Sequence, residues 1–314
     1  MKQEFLTYSN TKEHTAPAVV WLPDGEVKSV LQIVHGMTEH IGRYERLAEQ
    51  LTQEGIAVAG FDLQGHGQNG IGLKCASFGE SGWEAMLEEI HQFHLFLKKR
   101  FVNAKHYLLG FSLGSFLVRE YFSTYEEQDI AGTIIMGTGQ QPAVVLSIIM
   151  AIVKGEMKKA GHDHTTDLVR KLSFGTYNNK FRPNRTKEDW LCSDELELDK
   201  YIADELCKED ISAGLFWQLL ASMKRTADRN TYSKWNKHMP IVLISGEDDP
   251  VGDGGKGVRL VEKSMRNAGL LNVTLKLYPG ARHDVLHEEK SGVSRSVYQT
   301  IKGCLLTEKG LSVL

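Results

Sequence analysis

The chain has 314 residues, 41% apolar and 25% charged, with a formal net charge of −3 at pH 7. That is ordinary globular usage, enough for one large core with room for an inserted piece. It lacks the basic footprint of a nucleic-acid binder, so nucleic acid is not an expected partner.

The opening residues, Met1 to Tyr8, contain no apolar signal-peptide core, and no run approaches the ~20 apolar residues that span a bilayer. Cys75, Cys192, Cys207 and Cys304 are scattered, with no C-x-x-C pair and no zinc spacing. Free thiols in a cytoplasmic protein are the expectation.

Short β-branched runs alternate with longer stretches at helical period. Val30–Val34 predicts a strand, and His35-Gly36-Met37-Thr38-Glu39-His40 a loop. Arg43–Glu54 predicts a helix with Tyr44, Leu47, Ala48 and Leu51 on one face, and Gly55 ends it. Ile56–Phe61 is the next strand, and the glycines of Gly65-His66-Gly67-Gln68-Asn69-Gly70 demand a loop. A helix over Glu84–Arg100, a strand over His106–Leu109, a helix over Ser115–Phe122 and a strand over Ile130–Met136 follow.

The alternation stops near Gly139. From there to about Asn236 the pattern is helical with loops. It resumes with a strand at Ile241–Ser245, a helix at Val258–Asn267, a strand at Val273–Tyr278 and a helix around Val293–Leu305. Such alternation implies a mostly parallel sheet with helices on both faces. The interruption implies a core in two parts, 1–138 and 237–314, around a largely helical insertion, 139–236.

Gly110-Phe111-Ser112-Leu113-Gly114 matches G-x-S-x-G between a predicted strand and a predicted helix. A serine on that sharp turn is held strained and exposed, and glycines flank it because the turn crowds larger side chains. A serine hydroxyl needs a base to take its proton. In this arrangement the acid and then the histidine follow along the chain, on loops leaving later strands. Gly246-Glu247-Asp248-Asp249-Pro250-Val251 and Pro279-Gly280-Ala281-Arg282-His283-Asp284 are those loops. His283 is the expected base, with His287 its rival. Asp248 and Asp249 compete as its orienter, and Pro250 favours Asp249 by restricting it to extended geometry. Oxyanion donors are expected from the backbone N–H of Leu113 and of Met37, where Gly36 lets the chain approach closely. His162-x-His164 lacks a further ligand set and reads as a polar loop, so no metal and no cofactor is expected.

These blocks resemble a known family. His35-Gly36-Met37-Thr38-Glu39-His40-Ile41-Gly42-Arg43-Tyr44, Asp62-Leu63-Gln64-Gly65-His66-Gly67, the serine turn, Ser245-Gly246-Glu247-Asp248-Asp249-Pro250-Val251 and Tyr278-Pro279-Gly280-Ala281-Arg282-His283 are similar to segments of monoacylglycerol lipases. They also resemble lysophospholipase-like members of the serine aminopeptidase-like hydrolases. The resemblance covers roughly residues 20–138 and 238–305. It implies an α/β-hydrolase fold, a Ser112/Asp249/His283 triad, and a cap that shapes acyl specificity. The chain departs from the family in having Phe111 where histidine is usual, Ser115 for a second glycine, and Gln68-Asn69 where a serine is common.

Within the insertion, Pro142–Val153 is apolar all round, followed by Lys154, Lys158 and Lys159. It reads as a helix starting near Pro142 that packs on the core, lids an acyl channel or touches a lipid surface. Phe174, Tyr177, Phe181, Trp190, Phe216 and Trp217 add aromatic surface.

Ester hydrolysis on a monoacyl lipid is the leading expectation. The alternatives are a small-ester or thioester hydrolase, an aminopeptidase using Glu195, Glu197, Asp199, Asp204 or Glu205 to hold a substrate amine, and a binding protein without turnover.

Overall fold

The computed structural model describes residues 1–9, 15–80, 82–125, 129–208 and 210–306. Two strands precede those predicted: β1 (Lys2–Ser9) and β2 (Thr15–Leu22), an antiparallel pair. β1 is mostly polar and largely exposed at the sheet's margin, whereas β2 is apolar and mostly buried. Next come β3 (Ser29–Val34), α1 (Glu45–Thr52), β4 (Ile56–Phe61), α2 (Gly82–Arg100), β5 (Lys105–Phe111), α3 (Leu113–Thr124) and β6 (Ile130–Met136). Before the sheet resumes, the described residues form the α-helices α4 (Ala143–Ala160), α5 (Asp167–Ser173), α6 (Glu195–Ala203) and α7 (Ala213–Thr226), with short 3-10 turns in the same stretch. The chain closes its described part with β7 (Ile241–Gly246), α8 (Lys256–Asn267), β8 (Val273–Tyr278) and α9 (Val293–Leu306). Residues 307–314, the end of the expected second core part, lie outside the described residues.

The strands form one sheet in the order β1-β2-β4-β3-β5-β6-β7-β8, antiparallel at β1–β2 and β2–β4 and parallel elsewhere. Side chains alternate across it: Val30 and Val34 of β3 join the apolar cluster under α2, α3 and α8, while Leu31 and Ile33 join the cluster under α1 and α9. Both faces are therefore covered, which is why β3, β4 and β7 are buried along their whole length.

Two boundaries differ from expectation for local reasons. The helix expected from Arg43 begins as a separate 3-10 turn over Ile41–Tyr44, whose start is capped by the His40 side chain accepting the Gly42 N–H. Pro142 stands just before α4 rather than inside its first turn, because its ψ of 133° is extended.

The apolar run expected to pack on the core, lid a channel or touch a lipid surface forms α4, which is buried on one side only. Leu146 and Val153 are buried, but Val144, Val145, Ile148 and Ile152 are 41–72% exposed. Only one side of α4 meets α7. No helix among the described residues is long and apolar enough to cross a membrane.

Candidate active site

The C-terminal edges of β3, β5, β7 and β8 open onto one place, and each delivers one part of the site. After β5 the chain turns at Ser112, whose φ of 49° and ψ of −115° are strained for a residue with a side chain. Crowding explains the flanking glycines. A Cβ on Gly110 would lie 2.3 Å from the Gly114 carbonyl oxygen, and one on Gly114 would lie 2.0 Å from that of Val34.

His283, on the loop after β8, sets its Nε2 2.9 Å from Ser112 Oγ. Its Nδ1 lies 3.0 Å from both carboxylate oxygens of Asp249, on the loop after β7. Asp249 is fully buried, and its oxygens also accept from the Val251 N–H at 2.8 Å and the Ser245 hydroxyl at 3.2 Å. Those donors fix the carboxylate so that both oxygens face Nδ1–H. Asp248 points away and pairs with Lys180 at 2.6 Å on the surface. His287 is likewise elsewhere, 2.8 Å from Asp284 and 3.3 Å from an Arg43 nitrogen. The structure thus brings Ser112, His283 and Asp249 together and leaves both rivals outside.

Met37 and Leu113 line the same pocket as Ser112 and His283. Leu113 opens α3, so its N–H belongs to the first helical turn, which has no intrahelical acceptor. The loop holding Met37 is fastened by the buried His35. The ring accepts the Leu63 N–H at Nε2, 2.9 Å away, and its Nδ1 donates to the Gly36 carbonyl at 2.7 Å. Burial pushes His35 down to about 3, so it stays neutral in that role. Glu39 folds back to accept the Gly36 N–H, the Tyr44 hydroxyl and Arg43.

Arg43 also pairs with Asp284 at 2.6 Å. Burial opposes ionisation of Asp284, but His287 and Arg43 outweigh it and hold its carboxyl well below the usual carboxylate range. Tyr201 covers this cluster, its ring centroid 4.8 Å from the Arg43 guanidinium carbon.

The rest of the pocket is apolar and aromatic. Phe111 and Trp190 lie against the His283 ring, with centroids 4.9 and 5.2 Å away. Phe116, Phe174, Phe216, Leu219 and Met223 continue the lining. Trp190, Phe174 and Tyr177 form one aromatic group, in which Trp190 stacks on Phe174 at 5.8 Å and meets Tyr177 tilted at 4.9 Å. Phe181 instead lies under Arg282, and Trp217 packs on the core. The inserted segment also ties itself to the histidine loop, since the Asp284 N–H donates to the Leu191 carbonyl at 2.7 Å.

None of the five carboxylates weighed for holding an amine lines this pocket. Glu197 pairs with Arg46 and Lys200, Asp199 with Arg185, and Asp204 with His40, while Glu195 and Glu205 are exposed. The carboxylates that do line it, Glu39 and Asp284, are already paired. His162 and His164 offer their backbone carbonyls to the first N–H groups of α7. His40, Asp204 and Cys207 each bring one ligand-type atom within 4.8 Å of the others. Both His40 nitrogens are nevertheless engaged, with Asp204 and with the Gly42 N–H.

Trp190, Tyr201 and the Arg43–Asp284 pair had no assigned place in the site from sequence. Arg43 lies inside a recognisable block, but Trp190 and Tyr201 reach the site only through the path of the inserted segment.

A largely parallel sheet covered on both faces, with a serine on a strained strand-to-helix turn, defines an α/β hydrolase. The family described as serine aminopeptidase, S33, matches residues 25–290, and the chain belongs to it. It is 28% identical to the monoglyceride lipase of Mus musculus over 292 residues, covering 90% of this chain and 83% of that one. Its fold is similar to a carboxyl esterase from Bacillus coagulans solved with glycerol, at TM-score 0.83 and 21% identity, covering 98% of this chain and 100% of that one. It is also similar to a soluble variant of the monoglyceride lipase from Saccharomyces cerevisiae, at TM-score 0.74 and 20% identity, covering 96% and 94% of the two chains.

Proposed function

We propose that this carboxylic-ester hydrolase cleaves monoacyl lipid esters through an acyl-serine intermediate. The observation that carries the reading is the hydrogen-bonded line Ser112–His283–Asp249, at 2.9 and 3.0 Å, ending in an apolar pocket.

In the proposed reaction, Ser112 Oγ attacks the ester carbonyl while His283 Nε2 takes its proton. Asp249 keeps the other ring proton on Nδ1 and stabilises the imidazolium. The backbone N–H groups of Met37 and Leu113 receive the developing oxyanion. The same proton passes to the departing alcohol, and water then releases the fatty acid by the reverse sequence. Phe116, Phe216, Leu219 and Met223 suit an acyl chain, while Glu39, Thr38, Tyr201 and Asp284 give the pocket a polar part that suits an alcohol. Pairing of both carboxylates there favours an ester over an aminoacyl substrate, whose amine would need an unpaired acid.

Residues 139–236 act in this reading as a cap inserted between core parts 1–138 and 237–314. The exposed Val144, Val145, Ile148 and Ile152 on α4, followed by Lys154, Lys158 and Lys159, suit brief contact with a lipid surface.

The test is hydrolysis of a chain-length series of monoacylglycerols, lysophospholipids and short esters by the unmutated protein and by Ser112→Ala. Loss of a medium- or long-chain activity in the variant is expected. Activity restricted to short esters would overturn the lipid assignment.

A further inference from the structure

Arg119 sits in the middle of α3, seven residues after Ser112, and is 0% exposed. Its guanidinium makes five hydrogen bonds. Nε and Nη2 donate to the Tyr232 hydroxyl at 3.1 and 2.7 Å. Nη1 donates to Thr138 Oγ1 at 3.2 Å and to the Gly139 carbonyl at 3.1 Å. Nη2 also donates to the Thr226 carbonyl at 2.9 Å.

No carboxylate is among these partners. The opposing charge comes from a helix end instead. Thr226 is the last residue of α7, and its carbonyl is one of those left without an intrahelical donor at the negative end of the helix dipole.

The positions of the partners matter more than their number. Thr138 and Gly139 lie where the chain leaves β6 for the inserted segment, and Thr226 and Tyr232 lie where it returns towards β7. One side chain fastens both stalks of that segment to the helix that begins beside Ser112. α7 also supplies Phe216, Leu219 and Met223 to the pocket, and α3 supplies Phe116, whose ring lies 5.5 Å from the Arg119 guanidinium carbon. If only stability mattered, an apolar side chain would join α3 to α7 without the cost of burying a charge. The planar fork instead fixes both distance and direction.

We propose that Arg119 is a positioning residue for acyl-chain selection, setting the separation of the α3 and α7 walls by holding the α7 C-terminus and both stalks on α3. The inference rests on the acyl-serine reading above.

The test compares the unmutated protein with Arg119→Met and Arg119→Lys on 4-nitrophenyl esters from acetate to palmitate. Amide hydrogen exchange is followed in parallel. Acetate turnover should stay within about threefold. For chains of eight carbons or more, kcat/KM should fall about tenfold or more, through KM rather than kcat. Exchange should quicken in 143–160 and 213–226 but not in 82–100. Arg119→Lys keeps a cation at the helix end without the fork and should fall between the two; it carries the same test if Arg119→Met does not fold. An unchanged ratio of long- to short-chain kcat/KM, with exchange raised evenly over the chain, would overturn the proposal and reduce Arg119 to a packing residue. Absence of ester hydrolysis by the unmutated protein would overturn the acyl-serine reading, whereas unchanged exchange in the two segments would overturn the clamp itself.

Discussion

Replacing Asp249 by asparagine tests the proposed proton relay without emptying its site. Both carboxylate oxygens face His283 Nδ1 at 3.0 Å, one also accepting the Val251 N–H and the other the Ser245 hydroxyl. In Asp249→Asn the amide oxygen would remain on the Val251 N–H, and its NH2 would turn towards the histidine. That group donates, so Nδ1 would become the acceptor and the ring proton would move to Nε2. A histidine protonated at Nε2 cannot take the Ser112 proton. A wrong tautomer in this arrangement costs on the order of 10⁴ in kcat, or about 5.5 kcal/mol of barrier. The control is Asp248→Asn, which removes only a partly exposed pair with Lys180 worth about 0–1 kcal/mol. Steady-state kinetics on one ester, with circular dichroism to show that both variants fold, separates the two. Asp249→Asn retaining more than about a tenth of the activity, or Asp248→Asn losing as much as is expected of Asp249→Asn, would refute the reasoning.

Three further outcomes are expected. Gly114→Ala should cost about 3 kcal/mol or more, because its Cβ would fall 2.0 Å from a backbone oxygen. Gly25→Ala, with nothing within 4 Å, should shift stability by less than about 0.5 kcal/mol in the same denaturant titration. Burial holds His35, His66 and His94 at about 3, against an ordinary 6.5, so the unfolded chain takes up their protons first as pH falls. Their contribution is intact above about pH 6.5 and lost towards pH 3, at roughly 1.4 kcal/mol per pH unit for each histidine. His94→Gln should therefore flatten the acid limb of a stability–pH curve, and an unchanged slope would contradict this. On α4, Val144→Asp with Ile148→Asp should weaken sedimentation with anionic lipid vesicles by about tenfold or more while leaving hydrolysis of a dissolved short ester intact.

The parallel sheet was legible because its central strands are buried on both faces and so read as short, near-continuous apolar runs, as Ile56–Phe61 and Ile241–Ser245 do. β1 was not legible, because Lys2–Ser9 pairs only at the sheet's edge and carries mostly polar residues. At the site, crowding dictates residue type: Gly110, Gly114 and Gly36 leave a trace that spacing alone reveals. Pro250 likewise separated Asp249 from Asp248 by a backbone constraint. Trp190 and Tyr201 left no such trace, since they meet His283 and Arg43 only through the tertiary course of the inserted helices. Arg119 did leave a signal, a lone cation amid the apolar residues of α3, but its partners lie 19 to 113 positions along the chain. The α4 run left its readings open because an apolar sequence does not say which side will be covered: Leu146 and Val153 are buried, while Val144, Val145, Ile148 and Ile152 stay exposed.

The proposed reaction depends above all on acylation of Ser112. Its most direct test is to react the protein with a long-chain alkyl fluorophosphonate, digest it, and locate the adduct by peptide mass spectrometry. A single adduct is expected on the peptide containing Ser112, absent in Ser112→Ala and greatly slowed in His283→Ala. An adduct on any other residue, or none on the folded protein, would contradict it.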